Sequence, residues 1–366
     1  MTTRPWDLPA PEPSPGSLPA VLGLDRAALR ALAMEWGEPS FRGDQIFEGL
    51  YRHRWDTWAS FSILPGTFRT RLQEGRPIGL PEIVESVPST DGSTKHVFRL
   101  ADGLRVEGVH MPYRDRSTLC LSSQVGCAMG CTFCATGSMG IGRNLDAGEI
   151  VGQVLAMLRR HGGSPASPVN LVFMGMGEPL HNLDHVLRAF RILSDPRGLA
   201  ISPRRITVST SGLVPGIRAL GSHHPRPRLA VSLNATTDAQ RSRTMPVNRV
   251  WNLEALGECL GAFPLQRGER ITLEYVLLRG LSDGLEDGRR LAAFAKRFPS
   301  KVNLIPFNAT ESDPRMADFQ PPEESRIGEL CRILSDSGLT VSVRRSRGQD
   351  VAGACGQLVR KRGFRA

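Results

Sequence analysis

The sequence predicts an α/β protein centred on a partial (β/α)6 barrel, an open sheet of about six βα units, with a small N-terminal helical domain and a β-hairpin extension ahead of it. Three observations predict it. Apolar, β-branched runs recur at 118–122, 169–174, 206–210, 229–233, 271–278 and 302–305. Amphipathic stretches separate them at 147–160, 183–193, 214–220, 253–263 and 284–297, and another at 323–337 leads to a last strand at 340–344. Continuous rather than alternating hydrophobicity marks strands covered on both faces, hence a parallel sheet with helices outside. Finally, three cysteines crowd the loop after the first run, and such folds carry chemistry at the C-terminal ends of their strands.

The elements follow in order. Residues 1–22 form a leader, with six prolines in the first twenty positions and no apolar period, which reads as disordered. Residues 23–77 form the helical unit. Asp25 caps a helix through Ala28, Leu29, Leu32 and Trp36, and Gly37 stops it. A second helix covers 45–53 and a third 65–74. Arg42, Arg52, Arg54, Arg69, Arg71 and Arg76 fall on the expected wet faces, which suits either a plain solvated surface or RNA contact. Residues 78–114 read as antiparallel strands joined by Asp91-Gly92 and Asp102-Gly103 turns, where glycine supplies the positive φ a tight turn needs. The barrel occupies 115–345, and 346–366 form a loop and basic tail.

Composition narrows the function. The chain has 366 residues, 40% hydrophobic and 22% charged, the balance of a globular protein. No apolar run approaches the ~18 residues of a membrane helix, and the N-terminus has no signal-peptide apolar segment, so a cytoplasmic protein is expected. The 46 basic and 36 acidic residues leave a net charge of +10. Four of the basic residues are lysine (Lys95, Lys296, Lys301, Lys361) and the rest arginine, a choice that coding bias explains. The net excess is not so explained, and it suits a polyanionic partner.

Of seven cysteines, Cys120, Cys127, Cys131 and Cys134 fall within fifteen residues, while Cys259, Cys331 and Cys355 stand apart. Cys127, Cys131 and Cys134 have C-x3-C-x2-C spacing. At a cysteine frequency of about 0.02 this arises by chance roughly 0.003 times per chain, so it marks a metal centre. A structural zinc wants four ligands, commonly as two separated pairs. Three clustered thiolates with no fourth Cys or His in the loop favour a 4Fe–4S cube with one iron left open. Cys120, on a strand, reads by itself as a buried, inert thiol.

C-x3-C-x2-C after the first strand of a partial α/β barrel, with Phe133 before the third cysteine, resembles the radical S-adenosylmethionine (SAM) superfamily. Five further motifs follow: Gly175-Met176-Gly177-Glu178-Pro179, Ser209-Thr210-Ser211-Gly212, Ser232-Leu233-Asn234-Ala235, Leu304 to Asn308, and Arg344 to Gly348 with Ala354-Cys355-Gly356-Gln357-Leu358. Together they resemble the bacterial RNA adenine C2-methyltransferases over about residues 23–360.

The resemblance implies a TIM-like partial barrel of the radical SAM type and a methyl group placed on carbon 2 of adenosine. Its substrates would be 23S rRNA, in the peptidyl-transferase region, and tRNA, at the adenosine 3′ of the anticodon. It implies two SAM molecules per methylation, one methylating a cysteine and one supplying a deoxyadenosyl radical that takes hydrogen from that S-methyl group. Residue by residue, Cys127, Cys131 and Cys134 would hold the cluster. Cys355 would carry the methyl, Cys120 would resolve the RNA adduct through a transient disulfide, and Glu107 would accept the carbon-2 proton. Gly177, Glu178, Ser209, Ser232, Leu233, Asn234 and Asn308 would bind SAM. Partners implied are a flavodoxin- or ferredoxin-like electron donor and no membrane, with the chain a monomer. A carbon-8 methyltransferase of the antibiotic-resistance type and a zinc-stabilised RNA-binding protein without catalysis are the alternatives.

Overall fold

The computed structural model describes residues 19–162, 168–308 and 316–358. The leader up to 18 and the basic tail after 358 lie outside the described residues.

The helical unit comprises α1 (Arg26–Glu35), α2 (Phe41–Tyr51) and α3 (Gly66–Gly75). Asp25 caps α1 by accepting the Ala28 amide at 2.9 Å, and Gly37 follows it at φ +79°. Helix α2 starts four residues before the expected 45, because its first turn carries exposed Phe41 and so no apolar period. Of the six arginines expected on wet faces, Arg52 and Arg71 are exposed and the other four half-buried. Arg42 donates to Gln45 and to the Ile63 carbonyl, and Arg76 to the Pro19 carbonyl.

Next comes an antiparallel meander, β1 (Glu82–Pro88), β2 (Thr94–Arg99) and β3 (Arg105–Pro112). Both turns fall where Asp-Gly pairs put them, with Gly92 and Gly103 at φ +83°. The meander is not an appendage. Strand β3 pairs antiparallel with β4 (Ser117–Cys120), so β1–β3 extend the barrel sheet by one edge.

From β4 onward the chain alternates. The C-x3-C-x2-C loop is clasped by a two-stranded sheet, β5 (Gln124–Cys127) and β6 (Gly140–Asn144), before α4 (Ala147–Arg160). Then follow β7 (Val169–Phe173), α5 (Leu183–Ser194), β8 (Ile206–Thr210), α6 (Val214–Gly221) and β9 (Arg228–Ser232). Helices α7 (Asp238–Thr244) and α8 (Leu253–Gly261) precede β10 (Ile271–Leu277), α9 (Leu285–Ala295), β11 (Ser300–Pro306), α10 (Glu324–Asp336) and β12 (Val341–Val343). Strands β4, β7, β8, β9, β10, β11 and β12 are neighbours in that order, and all pair parallel. Six βα units and a closing strand make the partial barrel that the apolar runs predict.

The core crosses these boundaries. One cluster of buried apolar side chains runs from Val21 and Leu22, which join the core instead of the expected disordered leader, to Leu358 beside the barrel mouth. Fully buried Tyr51 accepts the Gly23 amide and donates to the Leu24 carbonyl, fixing the entry of the chain to α1. Arg143 ties meander to barrel, donating to Asp102 at 2.6 Å and to both oxygens of Glu149, the capping-box residue of α4.

Candidate active site

The strand ends converge on a cavity of ≈ 940 Å³. Cys127, Cys131, Cys134 and Cys355 all line it; Gly177, Glu178, Ser209, Ser232, Asn234 and Asn308 complete the polar wall. Ten of the thirteen residues expected to act are therefore reached in one place. The exceptions are Leu233, Cys120 and Glu107.

The cysteine loop is shaped by glycine. Gly126 sits at φ +81°, where a Cβ would meet the Gly140 carbonyl oxygen at 2.1 Å, so β5 and β6 close tightly only around glycine. Burial pushes the Cys131 thiol up to about 12, and the nearby Cys134 charge adds to this. Cys127 rises well above its ordinary value for the same reasons, with Cys131 as the neighbour. Two neighbouring thiols that resist ionisation, Cys127 and Cys131, are what a cationic centre relieves. Among the described residues no three His, Cys, Asp or Glu side chains converge at single-ion distance. A 4Fe–4S cube makes no such demand, since each thiolate takes a different iron.

Arg241, which the sequence reading missed along with α7, stands beside this loop. Its guanidinium is fully buried and donates to the carbonyls of Ser211, Ser232 and Leu233 and to Asn248. Burial lowers its pKa to about 10, and the neighbouring Cys131 charge counters that. It gathers the ends of β8 and β9 and places a cation next to the cysteines. Fully buried Leu233 contributes this carbonyl and is not a cavity-lining residue. The Thr237–Gln240 capping box was the legible signal for α7.

Other wall residues are already committed to the protein. The Glu178 carboxylate accepts the amides of Leu180 and Ser211, joining the β7 and β8 loops; burial raises its pKa. Gly177, at φ +101°, is required by Gln124, whose Cβ lies 2.6 Å from where a side chain would begin. Asn234 takes φ +59°, which asparagine tolerates, and its amide oxygen accepts the Val276 amide. Glu274 was not foreseen. It faces the same cavity, and its Oε2 is buried with no protein partner. An orphaned acceptor among these walls fits a ligand that brings hydroxyl and amino donors, as SAM does.

Asn308 lines the cavity and is also tied to the C-terminal loop. It donates to Ser346 at 2.8 Å and to the Cys355 carbonyl at 3.2 Å, and accepts from Gln349 at 2.9 Å. It therefore holds the C-terminal loop across the cavity. The same loop is fastened to the cysteine loop through Ala135 N to Gly356 O at 2.7 Å and Thr136 Oγ1 to Leu358 O at 2.7 Å. At its other end Asp350 accepts from Ser89 and Thr90, and Arg347 donates to the carbonyls of Pro112 and Asp91.

Cys120 lies on β4, behind the cavity wall. Burial pushes its thiol up to about 12, and the Cys355 charge raises it further. The Arg344 guanidinium sits between them, its own pKa raised most by Cys355 and also by Glu274 and Cys120. All seven cysteines are free. Cys259 and Cys331 pack against the core, as expected.

Glu107 opens elsewhere, into a second cavity of ≈ 890 Å³ on the meander side. The two chambers adjoin. Met176 lines the second while its neighbours Gly175 and Gly177 line the first; Val351 and Ala352 line the second while Cys355 lines the first.

This fold and this cysteine loop define a radical SAM enzyme, and the superfamily's model matches residues 121–292. The relatives narrow the class. A dual-specificity RNA methyltransferase RlmN 2 of Myxococcus xanthus is 45% identical, over 98% of this chain and 96% of its own. An RlmN of Anaeromyxobacter is 46% identical, over 99% and 95%. The crystal structure of a radical SAM methyltransferase from Sphaerobacter thermophilus matches with a TM-score of 0.88 at 41% identity, over 93% of this chain and 99% of that one. The chain belongs to the RlmN family of radical SAM RNA methyltransferases. Its cofactors are a 4Fe–4S cluster and SAM, and the residues just described fit both.

Proposed function

We propose that the enzyme methylates carbon 2 of adenosine in 23S rRNA, in the peptidyl-transferase region, and in tRNA, at the adenosine 3′ of the anticodon. Cys355 carries the methyl group. The observation that supports this most is the placement of Cys355, held by Asn308 in the same cavity as Cys127, Cys131 and Cys134, with Cys120 near it.

A cluster on those three cysteines, with SAM bound, supplies one-electron chemistry at the S-methyl group of Cys355. The resulting methylene carbon adds to carbon 2, an electron-poor position that a carbon radical attacks and an ordinary nucleophilic methylation does not use. Glu107 takes the carbon-2 proton. The Cys120 sulfur then attacks the Cys355 sulfur, and the carbon–sulfur bond breaks. The released carbon takes up a proton to become the methyl group, and the odd electron of the adduct returns to the oxidised electron-transfer partner. The product disulfide must be reduced before the next turnover.

A low-potential flavodoxin- or ferredoxin-like protein supplies the electron, and the enzyme works as a monomer. Exposed Arg52 and Arg71, with other basic residues of the helical unit, contact RNA phosphates, which give affinity and little sequence information. A buried site can reach the base only if the RNA presents it unstacked.

Nucleoside mass spectrometry tests this directly. Anaerobically reconstituted enzyme, SAM and unmodified rRNA or tRNA are expected to yield 2-methyladenosine. 8-Methyladenosine would move the reaction to carbon 8, and unmodified digests from a fully loaded enzyme would refute both.

A further inference from the structure

The second cavity holds a buried ion pair in which Glu107 has a role above and Lys95 has none. Strands β2 and β3 pair Lys95 with Val109 and Val97 with Glu107, so Lys95 and Glu107 are diagonal neighbours on one face of the sheet. They are 7% and 6% exposed. Lys95 Nζ stands 3.4 Å from Glu107 Oε1 and 3.5 Å from the carbonyl oxygen of Ala352. Ala352 lies three residues before Cys355 and takes φ +49°, a left-handed conformation that a residue with a Cβ holds only when its surroundings impose it.

We propose that Lys95 is the positioning residue for Glu107: its ammonium keeps the carboxylate ionised and ties it to the loop that carries Cys355. The inference rests on Glu107 being the proton acceptor. A carboxylate buried without a cation takes up a proton, and a protonated glutamate cannot receive another. Lys95 supplies that cation from the neighbouring strand; Arg105, on Glu107's own strand, also lines the cavity, and Glu85 and Asp350 bring negative charge to it. When the carbon-2 C–H bond breaks, its electron pair stays on the adenine ring and the proton passes to Glu107. The choice of lysine fits the geometry. The chain uses arginine for all but four of its 46 basic residues. Here a compact ammonium on a flexible stem reaches a carboxylate and a backbone carbonyl together, where a planar guanidinium would prefer two parallel acceptors.

The test follows decay of the covalent RNA–protein adduct against pH in the reconstituted full-length enzyme, comparing wild type, Lys95→Gln, Lys95→Arg and Glu107→Gln. Lys95→Gln should move the acid limb upward by about one pH unit, because Glu107 loses its opposite charge. Lys95→Arg should return most of that shift. A rate lowered equally at every pH, without rescue by arginine, would make Lys95 a packing residue and overturn the assignment. Glu107→Gln separates the two readings. If its adduct decays as in wild type, Glu107 is not the acceptor. If that variant stalls while Lys95→Gln leaves the acid limb in place, only the role of Lys95 falls. Should Lys95→Gln not fold, amine labelling read by mass spectrometry decides. Lys95 should react faster in Glu107→Gln than in wild type, and equal rates would refute the pairing.

Discussion

The parallel half of the sheet and its antiparallel edge bury polar groups for different ends. At the C-terminal ends of β7 to β10, Glu178, Arg241 and Asn234 spend their hydrogen bonds on backbone amides and carbonyls of neighbouring loops. These side chains fix the mouth of the barrel. The antiparallel edge instead buries titratable groups on both faces, although such an edge commonly leaves one face to water. Lys95 and Glu107 occupy one face; His96 and His110, at the alternate positions, meet His161 of the α4 C-cap on the other. The difference teaches where each function resides. On the proposed mechanism, rigidity for the cofactors comes from the parallel half and proton chemistry from the edge.

The comparison breaks first at Arg241. Arg241→Met strands the carbonyls of Ser211, Ser232 and Leu233 and should cost roughly 3 kcal/mol or more. Urea unfolding checks the stability. Iron content after reconstitution checks the second effect, a cysteine loop that no longer holds its cluster. Wild-type values for both would show that the parallel half is not braced by this residue.

Asn308→Ala is milder. It removes three hydrogen bonds to the C-terminal loop, and a net loss of about 1.4 kcal/mol lowers the fraction of correctly seated loop about tenfold. The S-methyl occupancy of Cys355, read by peptide mass, should fall while SAM binding persists. If SAM binding falls in step with occupancy, Asn308 serves the cofactor rather than the loop.

The smallest effect belongs to the histidines. Burial, then the His161 charge, lowers both His96 and His110 to about 4 from 6.5. Below 6.5 the unfolded chain binds protons that the folded edge refuses, so stability falls as pH drops from 6.5 towards 4 and levels off beneath. Arg160 and Arg347 add positive charge around the cluster and act in the same direction. A urea midpoint that declines over that window, and declines less in His96→Gln, is expected. A flat midpoint would remove the histidines from the account.

The parallel half was legible because a strand buried on both faces leaves a continuous apolar run, and each run from 169–174 to 302–305 lies on an observed strand. Strands β5 and β6 were not legible. They are short, rich in glycine and held by the shape of the cysteine loop rather than by their own pattern. Helix α7 hid because its sequence is polar, with Arg241 turned inward by carbonyls that come from two other strands. Lys95 and His96 carry no signal of their own in the sequence; the C-terminal loop and His161, distant in sequence, meet them in the fold. The cysteines were legible by spacing, whereas the nearness of Cys120 to Cys355, 235 positions apart, belongs to the fold.

The central claim is that Cys355 carries the methyl to RNA and Cys120 releases it. Cys120→Ala, reconstituted with SAM and substrate RNA, tests it most directly by denaturing electrophoresis and peptide mass. The account predicts a covalent RNA–protein adduct that accumulates and maps to Cys355. Free methylated RNA at the wild-type yield, with no adduct on Cys355, would contradict it.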